Sequence, residues 1–124
     1  MKYIVFHCVL MPDFDIYTRT KKFAIQIVKL CHWLDQKPGA RRTLSNQLLR
    51  SGTSIGANCY EAKYAESKND FIHKLKISRK ENSETIFWLE VLIESEIVPP
   101  EKIKPLVKEC EEIGKILTSI IKKN

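Results

Sequence analysis

The chain has 124 residues, 44% hydrophobic and 29% charged, which is the size of one domain and enough apolar content to bury a core without staples. That composition excludes a disordered chain, and with only four Gly, five Pro and no repeat it favours long helices over a turn-rich β protein. Lys and Arg number 21 against 15 Asp and Glu, a net charge of +6, which points towards an acidic partner such as nucleic acid or an anionic membrane surface without choosing one.

Residues 3 to 11 are an apolar run, Tyr-Ile-Val-Phe-His-Cys-Val-Leu-Met, far shorter than the ~20 residues that cross a bilayer. Pro12-Asp13-Phe14-Asp15 follows it in place of a small-residue cleavage site. Three readings stay open: the run packs on the folded domain, pairs with another chain, or lies upstream of a natural start at Met11. Residues 1–13 are therefore set apart as an N-terminal extension, and 14–124 as the folded domain.

The first predicted helix spans Ile16 to Gln36. Ile16, Phe23, Ile27, Leu30 and Leu34 share one face at helical spacing, and Ala24, Val28 and Cys31 widen it. Lys37-Pro38-Gly39 ends it. The second spans Leu44 to Ala65, with Leu44, Leu48, Ile55, Cys59 and Ala62 as its apolar stripe. Gly52 and Gly56 interrupt its middle, at roughly 1 kcal/mol each relative to Ala. The apolar spacing keeps phase across them, which favours a continuous helix over a break at either glycine.

The third helix spans Lys68 to Ile97, with Ser67 or Asn69 as N-cap. Phe71, Leu75, Ser78, Asn82, Thr85, Leu89 and Leu92 form a heptad seam with a polar centre. Ile72, Ile86, Ile93 and Ile97 make a second stripe, and Ile77, Trp88 and Val91 a third. That width exceeds one core face and predicts contacts beyond the helix's own domain. Pro99-Pro100 opens the fourth helix, which runs to Lys122 on a stripe of Ile103, Leu106, Val107, Cys110, Ile113, Leu117, Ile120 and Ile121. Pro105 falls in its first turns. Short connections between long helices predict an all-α, antiparallel, up-down-up-down four-helix bundle.

No catalytic set can be assembled, so no enzyme, cofactor or metal is predicted. His7, His32 and His73 are widely spaced, and neighbouring Cys31 and His32 point about 100° apart on a helix and cannot chelate together. Cys8, Cys31, Cys59 and Cys110 form no Cys-x-x-Cys pair. With no secretory signal and cleavage site evident, they read as reduced, core-filling thiols of a cytoplasmic protein with no membrane partner.

The polar centre is more specific. Ser54, Asn58 and Glu61 share a stripe on the second helix, with Arg50 one turn earlier; Ser78, Asn82 and Thr85 lie on the third helix's core seam beside Glu81 and Glu84. Buried polar groups need partners, which predicts a hydrogen-bond network between these helices, with Arg50 paired to Glu61 or Glu84. The competing reading is a ligand or catalytic pocket. Charge along the third helix is also split. Residues 63–80 carry Lys63, Lys68, Lys74, Lys76, Arg79 and Lys80 against two acids, whereas residues 81–101 carry six Glu and no cation. This order opposes the helix dipole. The basic half, with Arg41 and Arg42, either meets phosphates, pairs with the acidic half of another subunit, or is simply a solvated face.

The run Gln47-Leu48-Leu49-Arg50-Ser51-Gly52-Thr53-Ser54-Ile55-Gly56-Ala57-Asn58-Cys59-Tyr60-Glu61-Ala62, then Ser67-Lys68-Asn69-Asp70-Phe71-Ile72-His73-Lys74-Leu75-Lys76-Ile77, with Glu81, Glu84, Thr85 and Trp88-Leu89 after it, resembles a known family. It is that of the bacterial four-helix-bundle proteins encoded within intervening sequences of 23S rRNA genes, once labelled S23 ribosomal proteins. The resemblance covers residues 14 to 122. It implies a homopentamer around a channel. It also implies kinship with the basic, pentameric accessory protein of diversity-generating retroelements, which works with a reverse transcriptase and nucleic acid. From residues and resemblance together, the expected function is RNA binding by a homo-oligomer. Its candidate phosphate contacts are Arg41, Arg42, Lys63, Lys68, Lys74, Lys76, Arg79 and Lys80. The alternative is a protein-interaction scaffold.

Overall fold

The computed structural model describes residues 15–124, and the readings for the N-terminal run lie outside the described residues. The four helices are α1 (Ile16–Asp35), α2 (Ala40–Ala62), α3 (Lys68–Glu94) and α4 (Pro100–Lys123). Each packs on the next and α4 returns against α1, which closes an antiparallel up-down-up-down bundle.

Local chemistry sets the helix ends. Asp15 caps α1, accepting from the Thr18 N–H at 3.2 Å and the Thr18 hydroxyl at 2.6 Å. Gly39 sits at φ 86°, left-handed backbone that a glycine adopts freely, and hands the chain straight into α2. This helix therefore begins four residues before the predicted Leu44. Its first turn, Ala40–Thr43, contributes no residue to the core, so apolar spacing cannot detect it. It also ends earlier, at Ala62 in place of Ala65, where i→i+3 bonds from Lys63, Tyr64 and Ala65 tighten the chain into a turn. Ser67 caps α3 through the Asp70 N–H at 3.0 Å, and the Asp70 carboxylate reaches back to the Glu66 N–H at 3.3 Å. The predicted end at Ile97 is too late. Glu94 is the last residue of α3, and Glu96 turns the chain with φ 60°. In α4, Pro105 is the sixth residue, deeper than the first turn, so the Glu101 carbonyl loses its ladder donor.

The core is made by the predicted stripes. All seven seam residues of α3, from Phe71 to Leu92, are buried. So are Ile16, Phe23, Ile27, Leu30, Cys31 and Leu34 of α1, and Ile116 joins the predicted α4 stripe. One expectation needs correction. Val28 does not widen the α1 face; with Ile25 and Leu49 it lies exposed on α1 and α2. Beside the seam, Ile72, Ile86 and Ile93 of α3, and Ile97 just beyond it, pack half-buried against the core. Helix α2 is continuous through both glycines. A Cβ at Gly56 would stand 3.1 Å from the Thr20 carbonyl oxygen, so the small residue is what lets α1 approach this closely.

Candidate nucleic-acid interface

The eight candidate cations do not form one patch. Arg41 and Arg42 open α2, whereas Lys63 follows its end, about twenty residues of helix and roughly 30 Å away. Along α3, Lys76 and Lys80 are exposed one turn apart on its outer side. Arg79 turns towards α4, where it borders a groove of about 460 Å³ with Ser83, Glu111 and Lys115. Lys74 turns the other way and donates to Glu61 of α2 at 2.9 Å. That hydrogen bond is the main reason its ammonium pKa is raised. Lys68, Lys76, Arg79 and Lys80 make no ion pair among the described residues.

The acids beside this basic stretch are engaged within the chain. Arg50 of α2 donates to Glu81 at 3.2 Å and to Glu84, and the Trp88 indole N–H donates to the same Glu84 carboxylate at 2.9 Å. The predicted Arg50–Glu84 pair is therefore present and the alternative with Glu61 is not. Glu61 lies three turns further along α2, roughly 16 Å from Arg50, and is held by Lys74.

The polar centre is narrower than predicted. Ser78 joins α3 to α2 through the Ile55 carbonyl at 2.8 Å and the Cys59 Sγ at 3.3 Å. Asn82 points to the opposite neighbour, and its Nδ2 donates to the Cys110 carbonyl of α4 at 2.8 Å. The others turn back on their own helices: Thr85 to the Glu81 carbonyl, Ser54 to Arg50, and Asn58 to Ser54. Short polar side chains find an i−4 carbonyl more readily than a distant partner, and this is why spacing alone overstated the network. A polar contact that the sequence reading missed joins α1 to α2: Ser45 Oγ donates to the Cys31 carbonyl at 3.3 Å, and Cys31 Sγ to that of Ser45 at 3.4 Å. Burial pushes the Cys59 thiol up to about 11 and that of Cys110 to about 12, so neither is a nucleophile at neutral pH.

Aromatic residues the sequence reading passed over sit where α2 turns into α3. Tyr60 is 58% exposed and Tyr64 64% exposed, with ring centroids 5.6 Å apart and planes tilted by 54°. The Lys63 ammonium lies between elements, 5.0 Å from the Tyr17 ring and 5.6 Å from that of Tyr60. The signal was legible as Tyr60-x-x-Lys63-Tyr64, two aromatics one turn apart with a cation beside them. At the other pole Lys37 and Lys102 both lie over Trp33, at 4.9 and 4.8 Å. Among the described residues no group of His, Cys, Asp and Glu could hold a metal ion, and no helix is long and apolar enough to cross a membrane.

The family model for the 23S rRNA-intervening sequence protein matches residues 12–119. The chain belongs to that family. A crystal structure of a protein of unknown function from the S23 ribosomal protein family, from Bacteroides thetaiotaomicron VPI-5482, is 45% identical to it with a TM-score of 0.79. The match covers 86% of this chain and 98% of that one. No protein of curated function matches. The family fold is thus the four-helix bundle described above. Neither comparison assigns this intervening-sequence protein an activity or a ligand.

Proposed function

We propose that this protein is a non-catalytic RNA-binding protein of the cytoplasm that works as a homopentamer. The observation that carries the RNA reading is an imbalance of partners on α3. Lys68, Lys76, Arg79 and Lys80 have no carboxylate partner among the described residues, while the nearby Glu61, Glu81 and Glu84 are already paired inside the chain. The positive field of the N-terminal half of α3 is therefore not cancelled locally, and phosphates are its natural complement. The family's name, which refers to 23S rRNA, favours RNA over DNA. Exposed Ile25, Val28 and Leu49 offer apolar surface for contacts between copies.

The scaffold reading, in which the acidic half of α3 meets the basic half of another copy, is weakened because Arg50 already occupies Glu81 and Glu84. The test is RNA binding followed by fluorescence anisotropy between about 50 and about 200 mM salt. Affinity should fall steeply with salt, and Lys76→Glu with Arg79→Glu should abolish binding while the solution mass stays that of a pentamer. Absence of RNA binding by the wild type at low salt overturns the reading. A monomeric mass in light scattering overturns the pentamer.

A further inference from the structure

Of the large apolar side chains exposed among the described residues, Tyr60 and Tyr64 alone put two exposed rings side by side. The corner between α2 and α3 carries Tyr60 and Tyr64, both more than half exposed, with ring planes tilted by 54°. Lys63 stands beside them, held over the Tyr17 and Tyr60 rings, and exposed Lys68 begins α3 just beyond. The carboxylates of this corner are largely occupied. Asp15 caps α1 through Thr18, Asp70 accepts the Glu66 N–H, and Glu61 is held by Lys74. Glu66 alone keeps a carboxylate with no hydrogen-bond donor among the described residues between 60 and 70.

Two aromatic rings with cations at their side are what a single-stranded nucleic acid needs. Every unpaired base has a π-face that stacks on a tyrosine ring, and the strand's phosphates meet the cations alongside. A duplex has no such use for the corner, because its bases are already stacked and paired and present only edges and backbone. We infer that Tyr60 and Tyr64 form a stacking platform for unpaired RNA bases, with Lys63 and Lys68 as its phosphate contacts, so that the protein prefers single-stranded to duplex RNA. This inference rests on the RNA-binding reading and adds to it the kind of RNA and the place where the bases sit.

The experiment compares a labelled oligoadenylate of about twelve nucleotides with an RNA duplex of the same length, by anisotropy at low salt. The proteins are the wild type, Tyr60→Ala/Tyr64→Ala, Tyr60→Phe/Tyr64→Phe and Lys76→Glu/Lys80→Glu. Both tyrosines are exposed, so the melting curve of each variant should match the wild type. The alanine pair should lose about ten-fold or more in oligoadenylate affinity with its salt slope unchanged. Its duplex affinity should hold, and the phenylalanine pair should bind like the wild type because stacking needs the ring and not the hydroxyl. Wild-type affinity in the alanine pair, an equal loss on the duplex, or a change in its solution mass each overturns the inference. If the alanine pair binds normally while the Lys76/Lys80 reversal abolishes binding, the platform falls and the RNA reading stands. If the wild type binds neither RNA, both fall.

Discussion

The Asn82 side-chain amide of α3 donates to the Cys110 carbonyl of α4 at 2.8 Å, and Gly114, one turn further along α4, leaves the space that the same side chain's Oδ1 fills. A Cβ at position 114 would stand 2.7 Å from that oxygen. Asn82 is 3% exposed, so it can yield only by rotating away from the Cys110 carbonyl. Gly114→Ala should therefore destabilise the bundle by about 1 kcal/mol, because losing a buried hydrogen bond outweighs the ~1 kcal/mol that alanine gains in helix propensity. In an Asn82→Ala background the clash is gone and Gly114→Ala should become stabilising. Urea unfolding of the four proteins in this double-mutant cycle measures the sign change; additive effects would show that the two residues are not coupled.

Glu96 is the one non-glycine residue with positive φ among the described residues, at 60° just beyond the end of α3. An L-residue pays roughly 1–2 kcal/mol in left-handed backbone, and a glycine at this position after a helix pays little. Glu96→Gly should raise stability by about 1 kcal/mol, less what the freer unfolded chain takes back. Chemical denaturation reads this directly, and a loss of stability would mean that the glutamate side chain holds the turn.

The bundle was legible because its core obeys one period. Every seam residue of α3, polar ones included, is buried, since a 4–3 rhythm is a statement about geometry and holds whatever the side chain. Helix ends were less legible. The first turn of α2 buries nothing that would mark it, and Glu96 ends α3 without the glycine that usually announces such a turn. At the candidate interface, spacing found the cations but could not show that Lys74 is tied to Glu61, or that Arg41 and Arg42 lie at the far pole. Those facts depend on how antiparallel helices align, which no single helix encodes. Tyr60 and Tyr64 were missed for a different reason: their spacing beside Lys63 is visible in the sequence, but their exposure is not, since a tyrosine near a helix end can face core or surface until the neighbouring helix is placed.

The buried thiols predict a pH dependence. Burial raises Cys59 to about 11 and Cys110 to about 12 from an ordinary value of 9.0, so the native state keeps protons that the unfolded chain releases. The stability these groups contribute is fully present below about pH 9 and drains away as pH climbs through 11 towards 12. In reductant, the urea midpoint should fall between about pH 8 and about pH 10.5, and fall less in Cys59→Ala/Cys110→Ala. Identical slopes in both proteins would rule the thiols out as the cause. The same burial predicts that iodoacetamide labels Cys31, Cys59 and Cys110 only on unfolding, which peptide mass mapping can follow.

Arg50 links the fold to the proposed function. It comes from α2, yet its guanidinium neutralises Glu81 and Glu84 at the point on α3 where the basic half gives way to the acidic half. The pairs are partly exposed, with Arg50 at 48% and Glu84 at 36%, so their direct contribution to folding is small, within about 1 kcal/mol. Their effect on the surface field is larger. Removing the cation uncovers two carboxylates within a turn or so of Arg79 and Lys80, inside the ~10 Å over which charges act at 0.1 M salt. Arg50→Ala should thus fold normally but bind RNA several-fold more weakly at low salt, and the deficit should shrink as salt is added. Arg50→Lys should restore most of the affinity, since the field needs the charge and not the fork. A variant that loses stability and RNA affinity together would instead make Arg50 a strut of the α2–α3 interface. Unchanged affinity would place the bound phosphates away from the middle of α3, towards the Lys63 and Lys68 corner.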